Sequence, residues 1–228
     1  MNALKLIAVL LDYPQEELWS HDEALRQACT DCGLPPAPTQ VLAEFADGLL
    51  ALDPLTAQER WLGLFDRGRA MSLLLFEHIH GESRDRGQAM VDLIETYRRG
   101  GFELASRELP DYLPLVLEFL AQRPDAEAVD WLSHVAQIVA LLAGRAAERG
   151  SPYAALLEIV LSLGQGRVDL ALMRRRAREE VRDDTQEAMD QVWEEEAVRF
   201  GAEAPQDDCS PPRRLPAGAR PRASQATP

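Results

Sequence analysis

Apolar residues recur three and four positions apart along most of this chain, and sustained alternation of apolar with polar residues is missing. Helices are therefore expected and strands are not. Near the start Leu4, Ile7, Ala8 and Leu11 share one helical face, and Pro14 stops that helix. A second is predicted from Glu16 to about Thr30. Cys32 to Pro38 is a loop by its Gly and Pro content. Thr39 is placed to cap a helix over 41–52, with Leu42, Phe45, Leu49 and Leu52 at helical spacing. Pro54 opens the next and turns Leu55, Trp61, Leu62 and Phe65 inward.

A helix over 69–80 follows, ended by Gly81. Ser83 can cap a helix over 84–99, whose stripe is Met90, Leu93, Ile94 and Tyr97, and Gly100 and Gly101 end it. Pro110 and Asp111 sit where a helix start is favoured, and that helix reaches about Ala121. Asp125 is placed to cap the longest helix, to near Arg149. Its ridge is Trp131, Val135, Ile138 and Leu142, with Leu132, Ala136 and Val139 beside it. A helix over 153–163 and two charged ones, 168–178 and 184–200, complete the body. From Gly201 apolar side chains nearly vanish, and such a composition cannot bury enough surface to offset chain entropy. The expected fold is all-α: a single compact bundle of about ten helices over 1–200, then a disordered tail over 201–228.

Charge narrows the partners. The 228 residues carry a formal −14, and the tail from Gly201 contributes +1, so the body holds −15. Such a body repels phosphate backbones and makes nucleic acid an unsuitable partner. It would draw in a basic peptide, although acidity serves solubility equally well. Three cysteines, an odd number in a chain of this length, do not make a disulfide framework. No stretch approaches the ~20 apolar residues of a membrane span. Residues 4–11 lack a small-residue cleavage site and run straight into Asp12, Tyr13 and Pro14. They read as a first core helix and not a signal peptide, which places the protein in the cytosol.

Candidate chemistry is thin. Cys29 and Cys32 form a C-x-x-C, but a matching second pair for zinc is missing, and the pair ends a helix where a redox motif would open one. Glu77, His78, His80 and Glu82 place four metal-ligand types within six residues. Residues two apart on a helix point to different sides, so the two imidazoles meet one ion only if the helix ends between them. A helical metal-dependent enzyme built on those four is the rival reading. No serine elbow, phosphate loop, dinucleotide turn or His-Glu-x-x-His is present. Arg84 and Arg86 flank Asp85 in a first turn, where cations are disfavoured, and imply either a partner or salt bridges to neighbouring acids. Leu73, Leu74, Leu75 and Phe76 cover nearly every side of one helical turn. That turn is either wholly buried or lends one face to a groove.

The stretch from Met71 to Met90, MSLLLFEHIHGESRDRGQAM, resembles the signature of the respiratory nitrate reductase assembly chaperones. The stretch from Glu108 to Leu120, ELPDYLPLVLEFL, resembles the family's second hallmark, and Leu6 to Pro14 is similar to its opening helix. The resemblance is specific over roughly 65–120 and looser to about 180. It implies a cytoplasmic chaperone, not an enzyme, that binds the molybdenum-containing catalytic subunit of membrane-bound nitrate reductase through that subunit's N-terminal segment and a further region. It implies that the client is held open for insertion of its molybdenum cofactor and kept from early membrane docking, with the cofactor-delivery machinery a further partner. No resident cofactor or metal and no stable membrane insertion are implied. In the wider class of redox-enzyme chaperones the second hallmark usually reads Pro-Asp-His. Pro110 and Asp111 match it and Tyr112 takes the His place, as in the nitrate reductase branch, which argues against any mechanism needing an imidazole there.

The expected site is then a groove between the 69–80 and 110–120 helices. Leu74, Phe76 and Leu117 would form its apolar wall. Glu77, Asp111 and Glu118 would attract a basic side chain, and Tyr112 would make a rim contact. His78, His80, Glu82, Arg84 and Pro110 complete the expected contact set.

Overall fold

The computed structural model describes residues 2–81, 83–104, 108–166 and 168–191. Glu82, the expected tail and most of the helix expected over 184–200 lie outside the described residues. Residues Met1–Met189 make one compact unit, and the chain from Asp190 belongs to another. The described helices are α1 (Asn2–Leu11), α2 (Glu17–Ser20), α3 (Asp22–Thr30), α4 (Pro36–Leu50), α5 (Pro54–Phe65), α6 (Leu75–His80), α7 (Asp85–Arg99), α8 (Leu113–Ala121), α9 (Asp125–Glu148), α10 (Tyr153–Leu163) and α11 (Leu170–Glu179), with a 3-10 turn at Arg69–Met71 before α6.

Helix α9 is the axis of the bundle, and α8, α10, α11 and the 3-10 turn pack on it. Its buried face carries many small residues, Ala136, Ala140, Ala143 and Gly144 among them, so neighbours approach closely. A Cβ on Gly144 would stand 3.1 Å from the Met173 backbone of α11. The centre of the α9 interface is the Leu132, Ala136 and Val139 row; Trp131 and Ile138 of the expected ridge are only half-buried. By length and composition α9 could cross a membrane, against the expectation that no stretch would qualify. Ten of its residues are buried against protein, as in a core helix of a folded domain. Helix α1 packs chiefly on α8, and seven of its ten residues are buried. Trp61 donates its indole N–H to the carbonyl of Leu11, the last residue of α1, at 2.9 Å, and Trp19 donates to the carbonyl of Leu52, in the turn after α4, at 2.8 Å, so both acceptors are satisfied from neighbouring elements.

Several boundaries differ from the sequence pattern for local reasons. The helix expected over 16–30 breaks at His21, whose φ of −120° separates α2 from α3. Helix α4 starts earlier, at Pro36, because Pro suits a first turn, and the Thr39 hydroxyl donates to the Leu34 carbonyl instead of capping. Asp125 is the first residue of α9 and not its cap, which is Pro124. The largest change lies at 69–80, where a continuous helix does not form. After the 3-10 turn the chain is extended at Ser72 and Leu74, and α6 starts only at Leu75.

A strap after α11 closes the unit with charge. Arg145 and Arg149 stand one turn apart on α9. Arg145 donates to Glu180 at 2.6 Å and to the Ala70 carbonyl at 2.6 Å; Arg149 donates to Asp184 at 3.1 Å. Asp183 accepts from the Ala70 N–H at 2.7 Å. Asp184, its side chain only 4 % exposed, also takes two bonds from Arg182. Bonding to Arg182, with further help from Arg149, holds its carboxyl far below the ordinary carboxylate range. A depressed folded-state pKa stabilises above the unfolded value near pH 4, and that contribution is lost as pH falls below it. Asp184→Asn should therefore cost about 1–3 kcal/mol at pH 7 and progressively less as pH falls below about 4 toward the depressed folded-state value, measured by urea denaturation across the acid range.

Candidate functional site

The two sequence hallmarks meet backbone to backbone. Leu74 and Tyr112 form an isolated antiparallel bridge, closed by Leu75 N–H donating to the Asp111 carbonyl at 3.0 Å and Leu113 N–H donating to the Leu73 carbonyl at 2.8 Å. The Asp111 carboxylate accepts from the Phe76 N–H at 2.9 Å, so it caps the first turn of α6 from another segment. Tyr97 of α7 donates its hydroxyl to the Pro110 carbonyl at 2.6 Å, which seats the second hallmark on a third element. Tyr112 reaches the other way and donates to Asp12 at the end of α1, at 2.8 Å.

This geometry corrects the expected groove. Leu117 is fully buried and cannot line an open wall; Leu74 and Phe76 are half-buried. Asp111, also fully buried, is engaged with α6 and presents no free carboxylate to solvent. Burial raises its pKa and the Phe76 N–H opposes that rise. Pro110 is buried too, and Tyr112 keeps only 9 % exposure. Burial, followed by the charge of Asp12, pushes the Tyr112 phenol upward, so it stays a proton donor to Asp12 at any physiological pH. Glu77 pairs with Arg86 at 3.2 Å, so of the two alternatives for that arginine the neighbouring acid holds here, while Arg84 is exposed.

Among the described residues, Glu77, His78 and His80 do not assemble a metal site. His78 Nε2 donates to the Ser72 carbonyl at 2.8 Å, and burial lowers the pKa of its imidazole, so the ring is neutral at pH 7 with only Nδ1 left as acceptor. His80 packs edge-on against Phe76 with centroids 5.7 Å apart. Glu82 lies outside the described residues. No group of three or more His, Cys, Asp or Glu suited to an ion occurs among the described residues. Cys29 and Cys32 are both buried free thiols, and burial raises the Cys29 pKa.

What the fold does open to solvent is the outer stripe of α1. Asn2, Lys5, Val9 and Asp12 fall on one helical face, and Val9 is 41 % exposed. Depressions flank that stripe on both sides. Two, of about 390 and 340 Å³, lie against α2 and α3 and share Val9 and Leu25. A third, of about 190 Å³, lies against α8 and is lined by Lys5, Val9, Asp12, Tyr112, Leu115 and Glu118. Acids dominate the rim: Asp12, Glu17, Asp31, Glu108 and Glu118 stand against one lysine. Of the expected contact residues, Tyr112 and Glu118 belong to this surface. Val9, Asp12 and Leu115 were not anticipated, and the signal that could have found them is one valine on the otherwise polar stripe of α1.

Residues 33–158 match the family described as nitrate reductase delta subunit. Over 204 residues, 89 % of this chain and 86 % of the relative, the sequence is 48 % identical to the nitrate reductase molybdenum cofactor assembly chaperone NarJ of Escherichia coli K12. It is 47 % identical over 201 residues, 88 % of this chain and 84 % of the relative, to a probable chaperone of the same kind, NarW, from that organism. A probable NarJ of Bacillus subtilis 168 is 30 % identical over 68 % of this chain and 84 % of its own length. The fold is shared with a putative redox enzyme maturation protein from Archaeoglobus fulgidus, with a TM-score of 0.51 at 21 % identity over 72 % of this chain and 94 % of that one. With both hallmarks in place and the likeness running through nearly the whole chain, this protein belongs to the nitrate reductase delta subunit family.

Proposed function

We propose that this protein is an assembly chaperone for nitrate reductase. It binds the apo catalytic subunit, permits insertion of the molybdenum cofactor, delays membrane docking and performs no reaction of its own. The observation that carries this reading is 48 % identity to a named chaperone of that kind along 89 % of the chain. The work takes place in the cytoplasm, a compartment in keeping with the buried free thiols of Cys29 and Cys32.

The client's N-terminal segment is the occupant of the α1 surface. A basic amphipathic helix would lay its apolar stripe over Val9 and Leu115 and set a cation on Asp12, whose carboxylate Tyr112 holds in place. The net charge of −14 speeds encounter with such a segment, and affinity comes from the apolar strip at ~25 cal/mol per Å² buried, less the cost of ordering the peptide. Asp111 acts differently from the rim acids: its side chain holds α6 in place, while Tyr112 is held by the bridge, whose hydrogen bonds are all backbone.

Calorimetry with a synthetic peptide of the client's N-terminal segment tests this. Val9→Arg should weaken binding about tenfold, the worth of one buried valine, without loss of helicity. Unchanged affinity would remove the α1 surface from the account. A second outcome separates the hallmark's roles. Asp111→Ala should cost about 1–2 kcal/mol of folding stability through the lost cap, yet bind the peptide as the wild type does wherever it is folded. A folded Asp111→Ala protein with no affinity would mean that this carboxylate meets the client directly. Raising salt from 50 to 500 mM should weaken the wild-type complex steadily, as expected of steering by exposed acids.

A further inference from the structure

A larger cavity, of about 580 Å³, shares no lining residue with the α1 surface. Phe45 and Leu49 of α4, Leu64 of α5 and Tyr153 at the head of α10 make its apolar floor, with the Phe45 and Tyr153 rings edge to face at 5.0 Å. Its rim reverses the sign found along α1. Arg60, Arg149 and Arg182 stand against Glu44 and Asp184. Arg149 and Arg182 are both committed to Asp184, whereas Arg60 is exposed and forms no ion pair among the described residues.

Two glycines mark the same walls. Gly48 lies in the last turn of α4 and Gly63 in the last turn of α5. Neither has a positive φ, so neither serves as a left-handed helix stop. A Cβ on either would meet nothing within 4 Å among the described residues, so no packing there requires them. Gly144 and Gly164 differ, since a Cβ there would strike Met173 or Leu132. Alanine would serve both α4 and α5 better. Paired bare turns facing one cavity suit the close approach of another backbone.

We propose that this cavity receives a helix of the client distinct from its N-terminal segment. That helix lays an apolar stripe over Leu52 and the small exposed edges of Phe45, Leu49 and Tyr153, each 5–7 % exposed, brings its backbone against Gly48 and Gly63, and sets a carboxylate on Arg60. The proposal rests on the client named above. Charge separates the two surfaces: a basic segment is matched along α1 and mismatched at Arg60.

The test uses the full chain, the intact apo catalytic subunit of nitrate reductase and, separately, the synthetic N-terminal peptide. The Gly48→Ala, Gly63→Ala double variant should melt about 2 °C or more above the wild type, because helix propensity improves. It should bind the peptide unchanged and the apo subunit about tenfold more weakly, because two added methyls overfill the contact. Arg60→Glu should weaken binding of the subunit and spare the peptide. A glycine variant that holds the subunit as tightly as the wild type overturns the proposal, and so does one that melts lower, since the glycines would then be needed by the chain itself. A wild type that fails to bind the subunit at all is a different result: it sinks the proposed function, and this occupant with it.

Discussion

One short antiparallel bridge organises the part of this protein that its two hallmarks define. Two backbone hydrogen bonds join Leu73 and Leu75 to Leu113 and Asp111, and the Asp111 side chain adds a third through the Phe76 N–H. Helix α6 has only six residues, too few to persist in water on local terms. Its first turn would leave backbone donors unmet in a half-buried place, and Asp111 meets one of them from across the bridge. The same backbone stretch presents Tyr112 to Asp12 and Pro110 to Tyr97, so α1, α6, α7 and α8 are tied at one point. A charge so fully enclosed is costly, and burial raises its pKa accordingly, but removing it would leave a buried N–H without an acceptor.

Much of this was legible in the sequence. The 3.6 period located every major helix among the described residues, and α10 spans 153–163 as read from its Pro152 and Gly164 boundaries. The failure at 69–80 is instructive because its own signal was present. Met71, Leu73 and Leu75 are buried while Ser72 and Leu74 between them are only partly covered, which is a period of two. Four adjacent apolar residues satisfy a helix and an extended segment alike, and the pairing partner that decides lies some forty positions away. Asp111 misled for a related reason. A carboxylate that caps a helix from another segment and a carboxylate on a rim have the same sequence signature, and only burial tells them apart. The metal reading failed because a histidine pair in sequence says nothing of what each ring already bonds: Ser72 holds one imidazole and Phe76 packs against the other.

The two open surfaces divide the electrostatic labour. Along α1 five acids surround a stripe with one lysine, while at the α4–α5 cavity guanidinium groups outnumber carboxylates. A single basic segment cannot satisfy both, so a client that fills both must offer two chemically distinct stretches. Binding at two sites then gains from effective concentration, since the second contact becomes intramolecular once the first is made.

That arrangement also bears on release. The depressions beside α1, about 190 to 390 Å³ each, lie toward or below the small end of ligand sites, and most of α1 is already buried in the fold. A contact of that size, steered by exposed acids, is fast to form and fast to break. Weak contacts at two places hold an unfinished protein firmly only while both of its segments are free. If folding of the client withdrew one segment, avidity would be lost and the remaining contact would let go on its own. A chaperone that held its client at two such places would need no nucleotide to cycle, because completion of the client's own fold would supply the free energy of departure.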